Sequence, residues 1–284
     1  LKKSGSISIR FNPKFYTVFL RKSYPYALLV LLMSFYNRID AVMLERLLPG
    51  EIGKEQAGIY AQAFRLLDAV SMFGVLVAGL LLPIFAKMIK QKDHVGQMVR
   101  LSFTLLMIPA IVIALSSIFY DVEIMEALYH SNTAHSSELL GILMTGFLGI
   151  AMSYIYGTLL TANGSIRQLN IMAFAGMVLN VVLNLILIPQ FQAFGSAYSS
   201  LATQLFAGIT QAFIAMTIFK LKPDFRFIFR LLLFAIGVTV LAYVSKMFTN
   251  WVLGYFFLLF LSVPVAFLLR LINFKDIIKI IMSR

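Results

Sequence analysis

The sequence predicts an all-α, polytopic membrane bundle of about eight transmembrane helices. Eight apolar runs divide the chain, each long enough to cross a bilayer. Hydrophobic residues make up 60% of the 284 positions, and the mean hydropathy of +0.88 leaves too little polar surface for a water-soluble core. The basic residues fall in alternate gaps between the runs, as topology signals do.

The runs are Tyr24–Glu45, Phe64–Ala86, Val99–Tyr120, Glu138–Thr161, Ile171–Pro189, Tyr198–Phe219, Phe229–Lys246 and Trp251–Arg270. Most hold 19 to 24 residues, and Phe229–Lys246 is the shortest at 18. At about 1.5 Å per residue these lengths match the roughly 30 Å hydrocarbon core. Membrane β-strands would need only about ten residues with strict alternation, and these runs are longer and unalternated. Pro83, Pro109 and Pro264 fall inside runs, with Gly74 and Gly79 ahead of Pro83. They are sites for a bend or hinge, and equally ordinary features of a membrane bundle. Gly141, Gly146 and Gly149 in the fourth run are expected to let another helix pack closely.

Charge sorting sets an expected orientation. Lys2, Lys3, Arg10, Lys14, Arg21 and Lys22 precede the first run, and Lys87, Lys90, Lys92 and Arg100 follow the second. Arg167, then Lys220, Lys222, Arg226 and Arg230, then Arg270, Lys275, Lys279 and Arg284 continue on the same side, which collects 19 of the 24 basic residues. The opposite side holds Arg46, Lys54, Arg65 and Lys246, and its middle gap carries Asp121, Glu123, Glu126 and Glu138. Both ends of the segment are therefore expected in the cytoplasm, and the family resemblance given below implies a bacterial inner membrane. The aromatic and basic stretch 1–23 reads as an interfacial helix or linker along that surface, and 271–284 as a basic tail.

Composition also excludes classes of chemistry. The chain has no cysteine, so disulfides, thiolate catalysis and cysteine metal sites are ruled out. His94, His130 and His135 are scattered over loops without ligand spacing, and no Gly-rich phosphate loop or enzyme motif occurs. A cofactor is not expected, nor is an enzyme. The net charge of +12 sits at membrane boundaries rather than along one stripe, which fits lipid headgroups and not nucleic acid.

Polar residues inside the runs point to function, because hydrocarbon tolerates them only against protein or a water-filled cavity. The first run contains Ser34, Tyr36, Asn37, Arg38 and Asp40. At 100° per residue Ser34 and Arg38 share one face while Tyr36 and Asp40 share a nearly opposite one, so Arg38 and Asp40 each need a separate partner. These residues are candidates to line a cavity or to join an interhelical ion network. Arg65 and Asp68, three apart, could form a local pair, and Arg65 could instead meet an anionic ligand. Asn180 and Asn184 align at i,i+4 in the fifth run, where they either bond neighbouring helices or line a cavity. Ser153, Tyr154, Tyr156 and Thr161 add hydroxyl groups to the fourth run.

A family resemblance joins these features. The stretch 36–44, Tyr-Asn-Arg-Ile-Asp-Ala-Val-Met-Leu, followed by Ala-Gly-Ile-Tyr-Ala-Gln-Ala-Phe-Arg-Leu at 57–66, resembles the polysaccharide-biosynthesis (O-antigen type) flippases of the multidrug/oligosaccharidyl-lipid/polysaccharide exporter superfamily. So does Asn-Val-Val-Leu-Asn-Leu-Ile-Leu-Ile-Pro at 180–189, with Phe-Gly-Ser-Ala-Tyr at 194–198 opening the next run. The likeness covers about Tyr24 to Phe219, two-thirds of the chain. It implies a MATE-like second lobe of six helices at 24–219, two further helices at 220–270, and a first lobe supplied by a longer parent chain or a partner. The start at Leu1 rather than Met fits a fragment.

The resemblance further implies the cargo, an undecaprenyl-diphosphate-linked oligosaccharide moved from the cytoplasmic to the periplasmic leaflet for polysaccharide or lipopolysaccharide biosynthesis. Arg38 would engage the diphosphate, with Arg65 as a second candidate and Asp40 and Asp68 tuning them or responding to a coupling proton or sodium ion. Tyr36, Asn37, Asn180 and Asn184 complete the candidate lining. Partners would be the lipid-linked glycan, membrane lipids and glycan-assembly proteins. Multidrug export, export of a lipid-linked peptidoglycan precursor, and a non-transporting scaffold or inactive fragment are the alternatives. The orientation can be tested directly, because the chain lacks cysteine. In intact cells Glu126→Cys should react with a membrane-impermeant maleimide and Lys90→Cys should react only after permeabilisation; the reverse labelling would contradict the expected topology.

Overall fold

A chain surrounded by hydrocarbon must satisfy its backbone hydrogen bonds within each segment, and helices do so without a partner. The computed structural model describes residues 13–129 and 133–271, which form nine helices and no strand among the described residues. In chain order these are α1 (Pro13–Leu47), α2 (Gly50–Gln91), α3 (Gly96–Phe119), α4 (Asp121–Leu128), α5 (Thr133–Ala162), α6 (Ile166–Phe191), α7 (Ala193–Phe219), α8 (Phe225–Ser245) and α9 (Trp251–Leu268). All but α4 are long and apolar enough to cross a membrane, and each covers one of the eight runs to within two residues. The molecule is thus a polytopic helical bundle.

Two elements add to the eight runs. Residues 13–23 are continuous with the first run and form the first turns of α1, a 35-residue helix. Residues 1–12 and 272–284, which carry the rest of the proposed linker and nearly all of the tail, lie outside the described residues, as does His130. The acidic gap contains α4, a short helix with Asp121 and Glu123 in its first turn, where carboxylates complement the helix dipole.

The core is centred on α5, which packs most extensively on α7 and also on α2 and α3. Glycine makes the α5–α7 crossing possible. A Cβ at Gly149 would lie 2.3 Å from the Gln204 carbonyl oxygen, and one at Gly208 2.5 Å from the Gly149 carbonyl oxygen, so only glycine lets the two backbones meet. Gly74 serves packing of another kind, because the Tyr154 ring of α5 occupies the space its side chain would fill. On the far side α6 joins α7 to α1, and α1 returns to α2. Asn170 of α6 donates to the Pro25 carbonyl oxygen at 2.9 Å, bracing α1 beside a proline.

The hairpin of α8 and α9 is peripheral. It packs on α3 through a separate apolar cluster that joins Phe227, Phe234, Val238, Ala242, Leu258 and Ala266 to Ile108, Ile111 and Val112. Polar clasps hold both ends. At the basic end Arg100 pairs with Asp224 at 2.9 Å and lies 5.1 Å over the Phe227 ring. At the opposite end Lys246 pairs with Glu123 of α4 and lies 4.6 Å over the Tyr120 ring, while the Tyr120 hydroxyl donates to Ser245 at 2.7 Å. Asp224 and Asn250 cap the two helices by accepting backbone N–H bonds.

Candidate functional site

Two polar constellations lie inside the bundle, and both are organised by α1. The first surrounds a cavity of about 450 Å³ between α1 and α2, within the range of small-molecule sites. Tyr36, Asn37 and Arg38 of α1 line it, with Phe64, Asp68 and Ser71 of α2, Ser153 and Tyr154 of α5 and Gln204 of α7. Arg38 Nη1 donates to Asp68 Oδ2 at 2.8 Å, and its guanidinium carbon sits 5.5 Å from the centre of the Phe64 ring. The pair remains open, with the side chains 66% and 42% exposed. Gln204 Nε2 donates to Asn37 Oδ1 at 2.7 Å, bridging α7 to α1 across the cavity wall. The Ser153 hydroxyl is buried with no hydrogen-bond partner among the described residues.

The depth of this pair follows from helix rise. Arg38 lies sixteen residues from Lys22 and Asp68 nineteen from Lys87, which separates them from the basic end by about 24 and 28 Å. Arg46 and Lys54, at the other end, are only about 12 and 21 Å away. Measured from the basic end, the ion pair lies inside a core of roughly 30 Å but close to its sparsely charged boundary, with exposed Arg65 one turn beyond Asp68. Hydrocarbon against it would be costly, so this face of α1 and α2 favours water, protein or a polar ligand.

The second constellation is buried completely. Asp40, 1% exposed, accepts from the Tyr60 hydroxyl at 2.8 Å on Oδ2, and from Asn180 Nδ2 at 3.0 Å and Asn184 Nδ2 at 2.8 Å on Oδ1. Asn184 Oδ1 in turn accepts from Ser196 at 2.9 Å. One carboxylate thereby ties together α1, α2, α6 and α7. The Ala193 backbone N–H, unsatisfied at the start of α7, donates to Gln56 of α2 at 3.2 Å and fastens the same end. Among the described residues no basic side chain pairs with Asp40, and its hydrogen-bond partners are all neutral donors.

The structure separates the candidates that sequence position grouped together. Tyr36, Asn37, Arg38 and Asp68 reach the cavity; Asp40, Asn180 and Asn184 do not, because they saturate one another in the interhelical cage. Arg65 is exposed, lines no part of the cavity, and forms no ion pair among the described residues. Its expected pair with Asp68 is replaced by Arg38–Asp68, thirty positions apart. Gln204, Tyr60 and Ser196 were not among the candidates, although Gln204 carried a signal as an amide within an apolar run. No group of three or more metal-ligating His, Cys, Asp or Glu side chains occurs among the described residues.

No family model matches the sequence, and no curated protein matches it. Solved structures do. One described as the lipid II flippase MurJ in an inward closed conformation superposes with a TM-score of 0.72 over 95% of this chain, at 14% identity. An outward-facing multidrug resistance MATE family transporter of the MOP superfamily gives 0.53 over 87% of this chain, at 19% identity. The chain has the fold of these transporters. It spans 57% of the length of the MurJ chain and 64% of the MATE chain.

The two constellations should respond differently to substitution. Asp40→Ala strands three donors, and Asp40→Asn turns an amide donor toward them; either change should destabilise the detergent-solubilised protein by about 2–3 kcal/mol. Arg38→Ala removes a half-exposed pair worth no more than about 1 kcal/mol. Thermal melting followed by tryptophan-independent dye binding should therefore show a clear drop for the Asp40 variants and little change for Arg38→Ala. Equal melting temperatures for all three would contradict the division into cage and cavity.

Proposed function

We propose that this chain forms one wall of a pathway that carries an undecaprenyl-diphosphate-linked oligosaccharide from the cytoplasmic to the periplasmic leaflet. The observation that carries the reading is Arg38, a guanidinium exposed to a cavity within the membrane span and backed by an aromatic ring. A diphosphate loses much of its hydration on leaving water, and charge-assisted donors offset that loss. Asn37, Ser71, Ser153 and Gln204 supply polar groups for the hydrated part of the cargo. On the same helix as Asp68 and Ser71, the exposed apolar side chains Met72, Phe73, Val75, Leu76 and Leu80 offer a surface for a lipid tail. The glycan would travel in the polar cavity while the polyprenyl chain stays in hydrocarbon, and no covalent bond changes.

The opposing wall would come from a further lobe, in the parent chain or in a partner. The fold it shares with transporters rather than enzymes supports translocation over catalysis. A second reading, export of a lipid-linked peptidoglycan precursor, is favoured by the TM-score of 0.72 to a protein named as a lipid II flippase. Both cargoes join an anionic phosphate group to a lipid tail, so Arg38 has the same task in each. Export of cationic drugs fits less well, since Asp68, the one acid lining the cavity among the described residues, is already paired with an arginine.

Reconstitution of the full-length protein in vesicles tests the proposal. The wild type should translocate a fluorescent lipid-linked oligosaccharide, Arg38→Ala should slow it by about tenfold or more, and Arg38→Lys should retain part of the rate. Faster movement of a lipid-linked peptidoglycan precursor than of the oligosaccharide would select the second reading. An Arg38→Ala variant that folds and translocates both at the wild-type rate would refute the assignment.

A further inference from the structure

Arg38 faces the cavity with most of its donors uncommitted. Its Nη1 donates to Asp68 Oδ2 at 2.8 Å, and among the described residues neither the rest of the guanidinium nor the second Asp68 oxygen takes part in another hydrogen bond. A built structural pair of these groups would be bidentate and enclosed, since the arginine fork matches both carboxylate oxygens. This pair is single-point and open, and Arg38 and Asp68 are the only charged side chains lining the cavity among the described residues. The Phe64 ring backs the guanidinium at 5.5 Å, which holds it in place independently of the carboxylate.

The geometry points to Asp68 as a resident counter-anion that the phosphate group of the cargo displaces from Arg38, and that takes the guanidinium back when the cargo leaves. The inference rests on the proposed reading of the cavity as a site for a lipid-linked phosphate. An exposed one-point ion pair is weak, so a ligand offering several phosphate oxygens and more charge exchanges with it readily. The displaced carboxylate stays nearby on α2 and repels the bound anion. Asp68 thereby lowers affinity and speeds release, which a translocation site needs as much as it needs binding.

The test uses the full-length protein in lipid nanodiscs, titrated calorimetrically at low salt with farnesyl diphosphate and, separately, inorganic pyrophosphate. D68N keeps the shape of the side chain and removes its charge; it should tighten binding of both probes about tenfold. R38Q should abolish binding, and D68N should bring no gain in the R38Q background. D68S serves as the second variant if D68N lowers the melting temperature. Unchanged or weaker binding by D68N, with loss in R38Q, would overturn the exchange and leave the proposed site standing. A D68N gain that persists without Arg38, or that appears with farnesyl diphosphate and not with pyrophosphate, would also overturn it. Wild-type affinity in R38Q would instead remove the reading of the cavity on which the inference rests.

Discussion

The Asp40 carboxylate is the point on which the arrangement of α1 depends. It lies where four helices meet: Tyr60 of α2 and Asn180 and Asn184 of α6 donate to it, and the Ser200 hydroxyl of α7 also interacts with it. Apolar packing in a membrane discriminates poorly between one helix rotation and another, because lipid tails are as apolar as leucine. A buried carboxylate does discriminate, since any rotation that strands it is strongly unfavourable. The cage therefore fixes both the rotation and the height of α1 against α2 and α6, and Ser196 extends the constraint to α7 through Asn184.

The cavity follows from that placement. Arg38 is two residues from Asp40, so the rotation that buries the acid turns the guanidinium away from α6 and toward α2. One helix thus carries a fastening face and a ligand face. The α5–α7 crossing contributes from behind: the close approach at Gly149 and Gly208 places Ser153 and Tyr154 of α5 beside Gln204 of α7 on one wall. The α8–α9 hairpin takes no part in this wall and is held to α3 by its own apolar cluster and two terminal clasps.

Much of the fold was legible from hydropathy alone, because bilayer thickness imposes a length that eight runs display openly. The extension of α1 back to Pro13 was hidden by basic and aromatic residues that also suit a surface helix, and α4 by its eight-residue length. Site residues were legible as a set of polar side chains in apolar runs. Their division was not. Helical phase separated Arg38 from Asp40, yet could not say which face met α6, since that depends on contacts 140 and 144 positions away. The Arg65–Asp68 expectation failed for a related reason: local spacing permits a pair, but the cavity offered Asp68 a nearer partner on α1. Of the three glycines expected at a close crossing, Gly149 faces backbone, Gly141 meets the Ile118 side chain, and Gly146 has only ordinary van der Waals neighbours.

The central claim is that an anionic, lipid-linked cargo occupies the cavity between α1 and α2. Site-specific photo-crosslinking to a radiolabelled polyprenyl diphosphate tests it most directly, with the photoreactive residue placed at Ser71 in the cavity or at Phe229 on the exposed face of α8. The account predicts labelling at Ser71 that unlabelled polyprenyl diphosphate competes away, and only uncompeted background labelling at Phe229. Equal, uncompeted labelling at the two positions would contradict it.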